Sequence, residues 1–336
     1  MKKSIEKEAS FHSLFSNRSF QQALLLKDLS LHRFRVTGFL TLIIAVFLSS
    51  FVFTSCEDVI EVKLSDENLD LYGVEARITT VDQPTVFLYK TLRVNQDEEY
   101  PGISGAVVTV SDNASPMNSI TLTEDPSKKG YYKVPQNASY LGVAGREYTV
   151  TIKTDGVTLV AKDQLPKVEP IDSIRVEPSL RGDKRFLGIF VYAKEPVGLG
   201  NYYKWDIFVN NKLLSDAEDI ACASDEFVDG NYISHLEIFT DFYEYSKEAK
   251  DRKLKLNDVI QVKQNSTSKF AYNFYLQMIN QDASGGLFSV PVANIKSNFT
   301  GSDGKPVLGL FVAHDVSVSN KVLINQKLED QLDKRP

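Results

Sequence analysis

The sequence predicts a mainly β protein: an N-terminal immunoglobulin-like β-sandwich, followed by a second β-rich domain with one short amphipathic helix. Three observations lead to this prediction. Short segments of alternating apolar and polar residues recur along the chain, turn residues separate them, and helical periodicity is confined to one segment. The chain has 336 residues, of which 43% are hydrophobic and 24% charged, enough to bury the cores of two ordinary domains.

The predicted sandwich covers residues 71–168. Its clearest strand is Arg146–Lys153, in which aromatic and aliphatic residues alternate with polar ones. Asp155-Gly156 follows and predicts a tight hairpin to a partner strand over residues 157–165. Further strands are predicted at Val86–Val94, Ala106–Ser111, Ser119–Thr123 and Tyr131–Val134. Six or seven short antiparallel strands within about 95 residues are typical of an immunoglobulin-like sandwich.

The second β-rich domain is predicted over residues 169–326, because Pro166 and Pro170 interrupt the strand pattern. Its predicted strands are Ile171–Glu177, Phe186–Ala193, Tyr202–Asn210, Tyr232–Tyr243, Asp258–Gln264 and Val307–Val318. One helix is predicted near residues 268–281, where apolar residues recur at helical spacing behind serine and threonine N-cap candidates. The charged tail, 327–336, is expected to be frayed.

An apolar run over residues 36–56 ends at Cys56, directly before an acidic pair at 57–58. The basic flank, the apolar stretch and the terminal cysteine are those of a bacterial lipoprotein signal peptide. On this interpretation residues 1–55 are removed, Cys56 becomes the acylated N-terminus, and residues 56–70 form a polar tether. An uncleaved transmembrane helix and a conventional cleaved signal are the alternatives. Two acyl chains, such as palmitate, would anchor the protein stably.

The part of the chain after residue 55 is acidic. The first 35 residues hold seven basic and three acidic side chains, which leaves 31 basic and 41 acidic ones in the mature part. Because this surface repels phosphate backbones, we expect no nucleic-acid partner. With Cys56 acylated, Cys222 is the one remaining thiol, so we expect no intramolecular disulfide.

The sequence contains no motif that marks a catalytic, cofactor or zinc site. Its mature histidines, His235 and His314, lack the spacing of metal ligands, and no nucleophile motif accompanies them. The acidic stretch 215–231 is the best metal candidate. As a Ca²⁺ loop it lacks the bidentate carboxylate, because Leu236 stands at that position, so a solvated acidic loop is favoured. We therefore expect no enzymatic activity, no cofactor and no metal.

Aromatic residues occur as neighbours in several predicted strands. The pairs are Tyr131-Tyr132, Tyr202-Tyr203 and Phe242-Tyr243. Because side chains alternate across a strand, each pair places its two rings on opposite faces of a sheet. One ring of each pair is then available for a partner surface, while core packing accounts for most aromatic residues.

Several segments of the mature chain resemble a known family in their order and spacing. They include CEDVIEV at 56–62, YGVEARIT at 72–79, GREYTV at 145–150 and FSVPVANIKSN at 288–298. The chain is similar to the Bacteroidota outer-membrane lipoproteins catalogued as domain of unknown function 4249, although the turn at 301–306 is longer than in many members. The resemblance covers essentially the whole mature chain. It implies an outer-membrane lipoprotein often encoded beside a TonB-dependent receptor, and it implies no known substrate.

Together these features predict a lipid-anchored, non-enzymatic outer-membrane protein that is a binding accessory to a TonB-dependent nutrient transporter. Its predicted partners are the membrane, through the lipid on Cys56, and that receptor. The acidic pair after Cys56 resembles the export signal of Bacteroidota surface lipoproteins, which implies exposure on the cell surface. A surface adhesin or structural β-sandwich lipoprotein with no transport partner is the alternative, and a hydrolase with an unmarked carboxylate site is a third hypothesis. Ser173, in the sequence Asp-Ser-Ile, matches the O-glycosylation pattern of Bacteroidota.

Overall fold

The structure is a computed structural model, and it describes residues 70–92, 100–181, 184–241, 252–282 and 295–332. These belong to one compact unit, Asn68–Pro336, and form three β-sheets. The strands are, in chain order, β1 (Tyr72–Thr79), β2 (Thr85–Lys90), β3 (Val107–Asp112), β4 (Ser119–Glu124), β5 (Tyr131–Lys133), β6 (Glu147–Thr154), β7 (Val157–Gln164), β8 (Ile171–Arg181), β9 (Lys184–Lys194), β10 (Tyr202–Val209), β11 (Lys212–Leu213), β12 (Ala221–Ser224), β13 (Tyr232–Thr240), β14 (Val259–Ser266), β15 (Thr300–Gly301), β16 (Val307–His314), β17 (Val316–Val318) and β18 (Val322–Leu323). The helices are α1 (Lys269–Asp282), α2 (Gln326–Leu332) and a 3-10 turn at Ala217–Asp219.

The mainly β prediction is confirmed, and the helix predicted near 268–281 is α1. The predicted signal peptide, Cys56 and the tether up to residue 69 lie outside the described residues. In the described part of the chain, no helix is both long and apolar enough to span a bilayer.

Nine strands form the first sheet, in the order β15-β7-β6-β3-β4-β5-β2-β1-β16. β1 and β16 are parallel, with Tyr72 opposite Val307, and the other neighbours are antiparallel. Gly309 makes the parallel pairing possible, because a Cβ there would lie 2.0 Å from the carbonyl oxygen of Val74. Its φ of +94° is also a conformation that favours glycine.

One hydrophobic core lies on the inner face of this sheet. It contains residues from strands at both ends of the sheet, such as Leu159 in β7 and Phe311 in β16. In β6, Tyr148, Val150 and Ile152 alternate inward as the sequence predicts. Complete burial of each large apolar side chain contributes about 1.5–3 kcal/mol. Because one core collects residues from both ends, the sheet curls on itself, which is consistent with the predicted immunoglobulin-like sandwich.

Side chains, rather than a strand ladder, join β7 to β16. The Asn298 amide nitrogen donates to the carbonyl oxygens of Lys162 (3.2 Å) and Phe311 (2.8 Å), and its oxygen accepts from the Phe311 N–H (3.0 Å). Asp163 Oδ2 accepts from the Ala313 N–H at 2.9 Å. We call this junction, formed by Asn298 and Asp163, the polar seam.

Asp163 makes the polar seam sensitive to pH. Its side chain is 6% exposed, and this burial raises the pKa of the carboxyl group to about 6. Because the folded state holds the proton more tightly than the unfolded state, the stability contributed by this group is complete below about pH 4 and is lost as the pH rises through about 6. The upper bound from this shift is roughly 3 kcal/mol.

We therefore expect Asp163→Asn to remove a pH-dependent part of the stability. Between pH 4.5 and pH 7, the free energy of unfolding in urea should fall less in the variant than in the wild type. The exposed Asp330 provides the matched control, Asp330→Asn, which should leave the pH dependence unchanged. Equal pH dependence in the wild type and Asp163→Asn would contradict this account of the seam.

The remaining two sheets share a second core. The six-stranded sheet has the order β11-β10-β14-β17, with β12 beside β10 and β18 beside β14; the three-stranded sheet has the order β13-β9-β8. Ile174 and Ile189 of the smaller sheet pack with Trp205, Ile207 and Val262 of the larger one in this core.

The predicted domain limits, 71–168 and 169–326, stay a prediction. Two strands from the second predicted range, β15 and β16, pair with strands of the first range. β15 pairs with β7 and β16 with β1, so residues 300–314 complete the first sheet.

The prediction of a single strand over Val307–Val318 is wrong, because two strands, β16 and β17, cover this range. The chain changes sheets at Asp315, whose carboxylate accepts from Thr80 Oγ1 (2.8 Å) and from the Val168 N–H (2.9 Å). Because these bonds hold Asp315 between the two cores, the chain leaves the first sheet there and pairs with β14 as β17.

A helix, α2, forms in part of the tail that was expected to be frayed. Leu328 and Leu332, one helical turn apart, pack against the second core. Arg252 holds the helix through two 3.0 Å bonds to the Glu329 carboxylate, and its Nε lies 3.5 Å from Asp241 Oδ2. The charged composition of the tail concealed these two leucines and the distant arginine that pairs with it.

Candidate functional site

A groove of 660 Å³ lies between the outer face of the first sheet and helix α1. Strands β1, β2, β5 and β16 form its floor. Its lining is aromatic, aliphatic and charged, and comprises Glu75, Ala76, Arg77, Thr85, Phe87, Tyr89, Tyr131, Lys204, Phe274, Tyr275, Met278, Gln281, Ile295, Gly309, Leu310 and Val312. We refer to it as the α1 groove. Its volume is within the range of about 300–1,000 Å³ that is usual for ligand sites.

The sheet side of the α1 groove is an aromatic surface. The rings of Phe87 and Tyr89, two residues apart on β2, stack with centroids 5.0 Å apart. Tyr89 lies over Gly73 of β1, where a Cβ would approach the ring to 2.2 Å, so glycine allows the ring to lie flat. Lys128 Nζ lies 5.3 Å from the Phe87 centroid and 5.0 Å from that of Tyr131, within range of cation–π attraction. Burial raises the pKa of Tyr89 to about 12, so its hydroxyl stays neutral.

Helix α1 forms the opposite side. Its apolar face, with Ala271, Phe274 and Tyr275, packs on Leu310 and Val312 of β16. The fold therefore uses α1 to cover part of the outer face of β16, and the groove remains where the cover ends. Burial raises the pKa of Tyr275, so this hydroxyl stays neutral.

Charged side chains of both signs line the same groove. Glu75 and Arg77 point outward from β1 and are exposed. Lys204 of β10 pairs with Asp206, and its Nζ also lies 5.4 Å from the Tyr275 ring. Stacking surfaces beside fixed charges suit recognition of a partner or ligand that is partly apolar and partly polar.

The two described aromatic pairs place their rings on opposite faces of a sheet, as the sequence predicts. Tyr132 is buried in the first core and Tyr131 faces the α1 groove. Tyr203 is buried in the second core, and Tyr202 packs on Tyr272 with centroids 5.0 Å apart. Phe242-Tyr243 lies outside the described residues.

Carboxylates of the acidic stretch 215–231 form hydrogen bonds with backbone N–H groups and ion pairs with a lysine. Asp225 accepts from the N–H groups of Gly200 and Asn201, and Asp229 accepts from the Gly198 N–H. Lys253 Nζ contacts a further set of carboxylates, those of Asp216, Glu218 and Asp219. Among the described residues, no group of three or more histidine, cysteine, aspartate or glutamate side chains is placed to hold a metal ion.

The other residues that the sequence analysis singled out are separated in the structure. Ser173 is a half-buried residue of β8, and its modification stays a prediction, as does lipid attachment at Cys56.

The two histidines and the thiol of the mature chain also lie apart. His314 is the last residue of β16 and is buried. Its Nδ1 lies 2.6 Å from the Ser266 carbonyl oxygen, and burial lowers its pKa to about 4. His235 stacks on Phe190 at 3.9 Å and contacts Glu177. Burial raises the pKa of the Cys222 thiol to about 11, which makes it a poor nucleophile.

The α1 groove itself was not predicted. Phe87, Tyr131 and Tyr275 come from separate parts of the chain. The neighbouring tyrosines at 131 and 132 and the aromatic stripe of the predicted helix gave a signal in the sequence, and the stripe was attributed to core packing. The model of a family described as Domain of unknown function (DUF4249) matches residues 57–320. No curated protein matches the chain.

Proposed function

Because the chain belongs to the family described as Domain of unknown function (DUF4249), we propose that it is a non-enzymatic, lipid-anchored outer-membrane protein and a binding accessory to a TonB-dependent nutrient transporter. The observation that carries this proposal is the position of the match. It begins at residue 57, directly after the cysteine that ends the apolar run. The region shared by the family thus starts next to the residue that lipoprotein processing would acylate, which supports anchoring through Cys56.

The α1 groove supports the binding part of the proposal. It combines the stacked rings of Phe87 and Tyr89 with the exposed charges of Glu75 and Arg77, and aromatic residues and arginine are enriched where proteins bind partners. A lipid anchor would hold this surface at the membrane, close to an integral transporter. Confinement to one membrane raises the effective concentration of the two proteins without any further contact.

The decisive experiment is affinity capture of the tagged full-length protein from detergent-solubilised outer membrane of the native bacterium. The wild type should incorporate a fatty-acid label and recover a TonB-dependent transporter. Cys56→Ser should lose both the label and the transporter, because the thiol that carries the lipid is gone. Cys222→Ser is the matched control and should keep both.

Each result bears on one part of the proposal. Incorporation of the fatty-acid label by Cys56→Ser would contradict lipid attachment at Cys56. Labelled wild type that recovers only what an untagged strain recovers would contradict the transporter role, and binding to host glycans that persists without the neighbouring receptor would favour the adhesin.

A further inference from the structure

A second cavity, of 150 Å³, lies at one end of the second core, and the proposed function does not use it. It is bounded by the end of β9, the start of β10, the start of β13 and the loop after β12. Much of its wall is apolar, with Val191, Ala193, Ile233 and Leu236 among the lining residues. It is smaller than sites for drug-sized ligands, which occupy about 300–1,000 Å³, and so suits a single head group.

A buried carboxylate lines this cavity. Glu195 is 1% exposed, and its Oε1 accepts hydrogen bonds from Tyr203 Oη (2.9 Å) and Asn201 Nδ2 (3.1 Å). Among the described residues, both hydrogen bonds to the carboxylate go to Oε1, and no cationic side chain forms an ion pair with it; Lys194 also lines the cavity, but its side chain is exposed. A buried anion without a counter-charge is costly, so this group is an acceptor that lacks a partner of opposite charge.

The surroundings of Glu195 disfavour its charged form when no cation is bound. Burial and the nearby carboxylates of Asp225 and Asp229 raise its pKa, since each disfavours the charged form. Asp225 and Asp229 themselves accept backbone N–H groups, as described above, and do not contribute a positive charge. A bound cation would reverse this penalty.

Aromatic rings complete the lining. Tyr203 and Trp205 are neighbours on one face of β10, with ring centroids 6.2 Å apart and planes 26° apart. Trp205 Nε1 donates to Gln264 Oε1 at 2.9 Å, so its polar edge is satisfied within the wall. Phe227 also lines the cavity and is 90% exposed, which places it at the opening. Aromatic faces attract cations, and cages of such rings bind quaternary ammonium groups.

We propose that this cavity binds a small organic cation, such as a quaternary or protonated amine head group, with Glu195 as its counter-charge and Tyr203, Trp205 and Phe227 as its aromatic walls. A metal ion fits less well, because the wall is largely apolar and no three metal-ligating side chains meet among the described residues. The inference is independent of the transporter proposal.

The chain supplies its own reporter for a test. Trp205 is the only tryptophan in the sequence, so intrinsic tryptophan fluorescence reports on the surroundings of this one residue of the cavity wall. The purified full-length protein in non-ionic detergent is titrated with choline chloride at constant ionic strength. We expect a saturable change in fluorescence, and at least tenfold weaker binding of the neutral isostere 3,3-dimethylbutan-1-ol.

Variants separate the charge from the shape of the site. Glu195→Gln should raise the Kd for choline at least tenfold, whereas Glu226→Gln, a change at an exposed carboxylate beside Phe227, should leave it unchanged. Phe227→Ala, at an exposed residue where folding is not at risk, should weaken binding several-fold. No saturable signal in the wild type, equal affinity for the alcohol, or unchanged binding by both Glu195→Gln and Phe227→Ala would overturn the proposal.

Discussion

Replacement of Arg252 by alanine is expected to lower the free energy of unfolding by about 3 kcal/mol, because it leaves two carboxylates without their cation. The Arg252 side chain is 12% exposed and that of Asp241 is 1% exposed, so water cannot replace the guanidinium group fully. The bidentate bond to Glu329 also holds α2 on the second core. Loss of this bond should expose Leu328 and Leu332, and the change is measured by urea unfolding.

The matched control is Arg175→Ala. Arg175 pairs with Glu177 at 3.6 Å, but the Arg175 side chain is exposed and that of Glu177 is half-buried; pairs that water reaches contribute about 0–1 kcal/mol. Arg252→Lys should fall between the wild type and the alanine variant, because lysine keeps the charge and loses the two-pronged geometry. Equal losses for Arg252→Ala and Arg175→Ala would show that the Arg252 network does not stabilise the fold.

Asn298→Ala is expected to lower the free energy of unfolding by about 2–4 kcal/mol. Asn298 satisfies both the N–H and the carbonyl group of Phe311, a residue of β16 in the first core, and each unsatisfied buried polar group costs about 1–3 kcal/mol. The variant should also lose protection of the Phe311 and Ala313 amides from hydrogen exchange, since the polar seam opens there.

Asn137→Ala makes the same chemical change at an exposed residue and should alter stability by less than about 0.5 kcal/mol. If Asn298→Ala were equally mild, with unchanged exchange at Phe311, the curled sheet would not depend on the polar seam.

Local patterns predicted the elements well and their partners poorly. The alternation in Glu147–Thr154 and the helical spacing in Lys269–Asp282 reflect which side of each element is buried. Such a pattern can be recognised from residues that are close together in the sequence. The parallel pairing of β1 with β16 is a contact between segments far apart in sequence. Nothing within either strand identifies the other, so the crossing at residues 300–314 could not be derived.

The sites were less predictable for the same reason. The acidic composition of 215–231 made it a metal candidate. Composition could not reveal that Asp229 accepts a hydrogen bond from the Gly198 N–H and Asp225 one from the Gly200 N–H. Likewise Glu195, one of 44 acidic residues, gained significance only through burial and the lack of a counter-charge. Side-chain type is local information, whereas solvation and pairing depend on the whole fold.

The pairing of β1 with β16 also constrains the order of events when the protein is made. Tyr72 emerges from the ribosome long before Val307, its neighbour in the sheet. Until the later segment arrives, β1 carries an open edge, which is a template for association with other chains. Contacts of such high sequence separation also fold slowly. Completion of the first sheet therefore waits until the segment that contains β16 has been made.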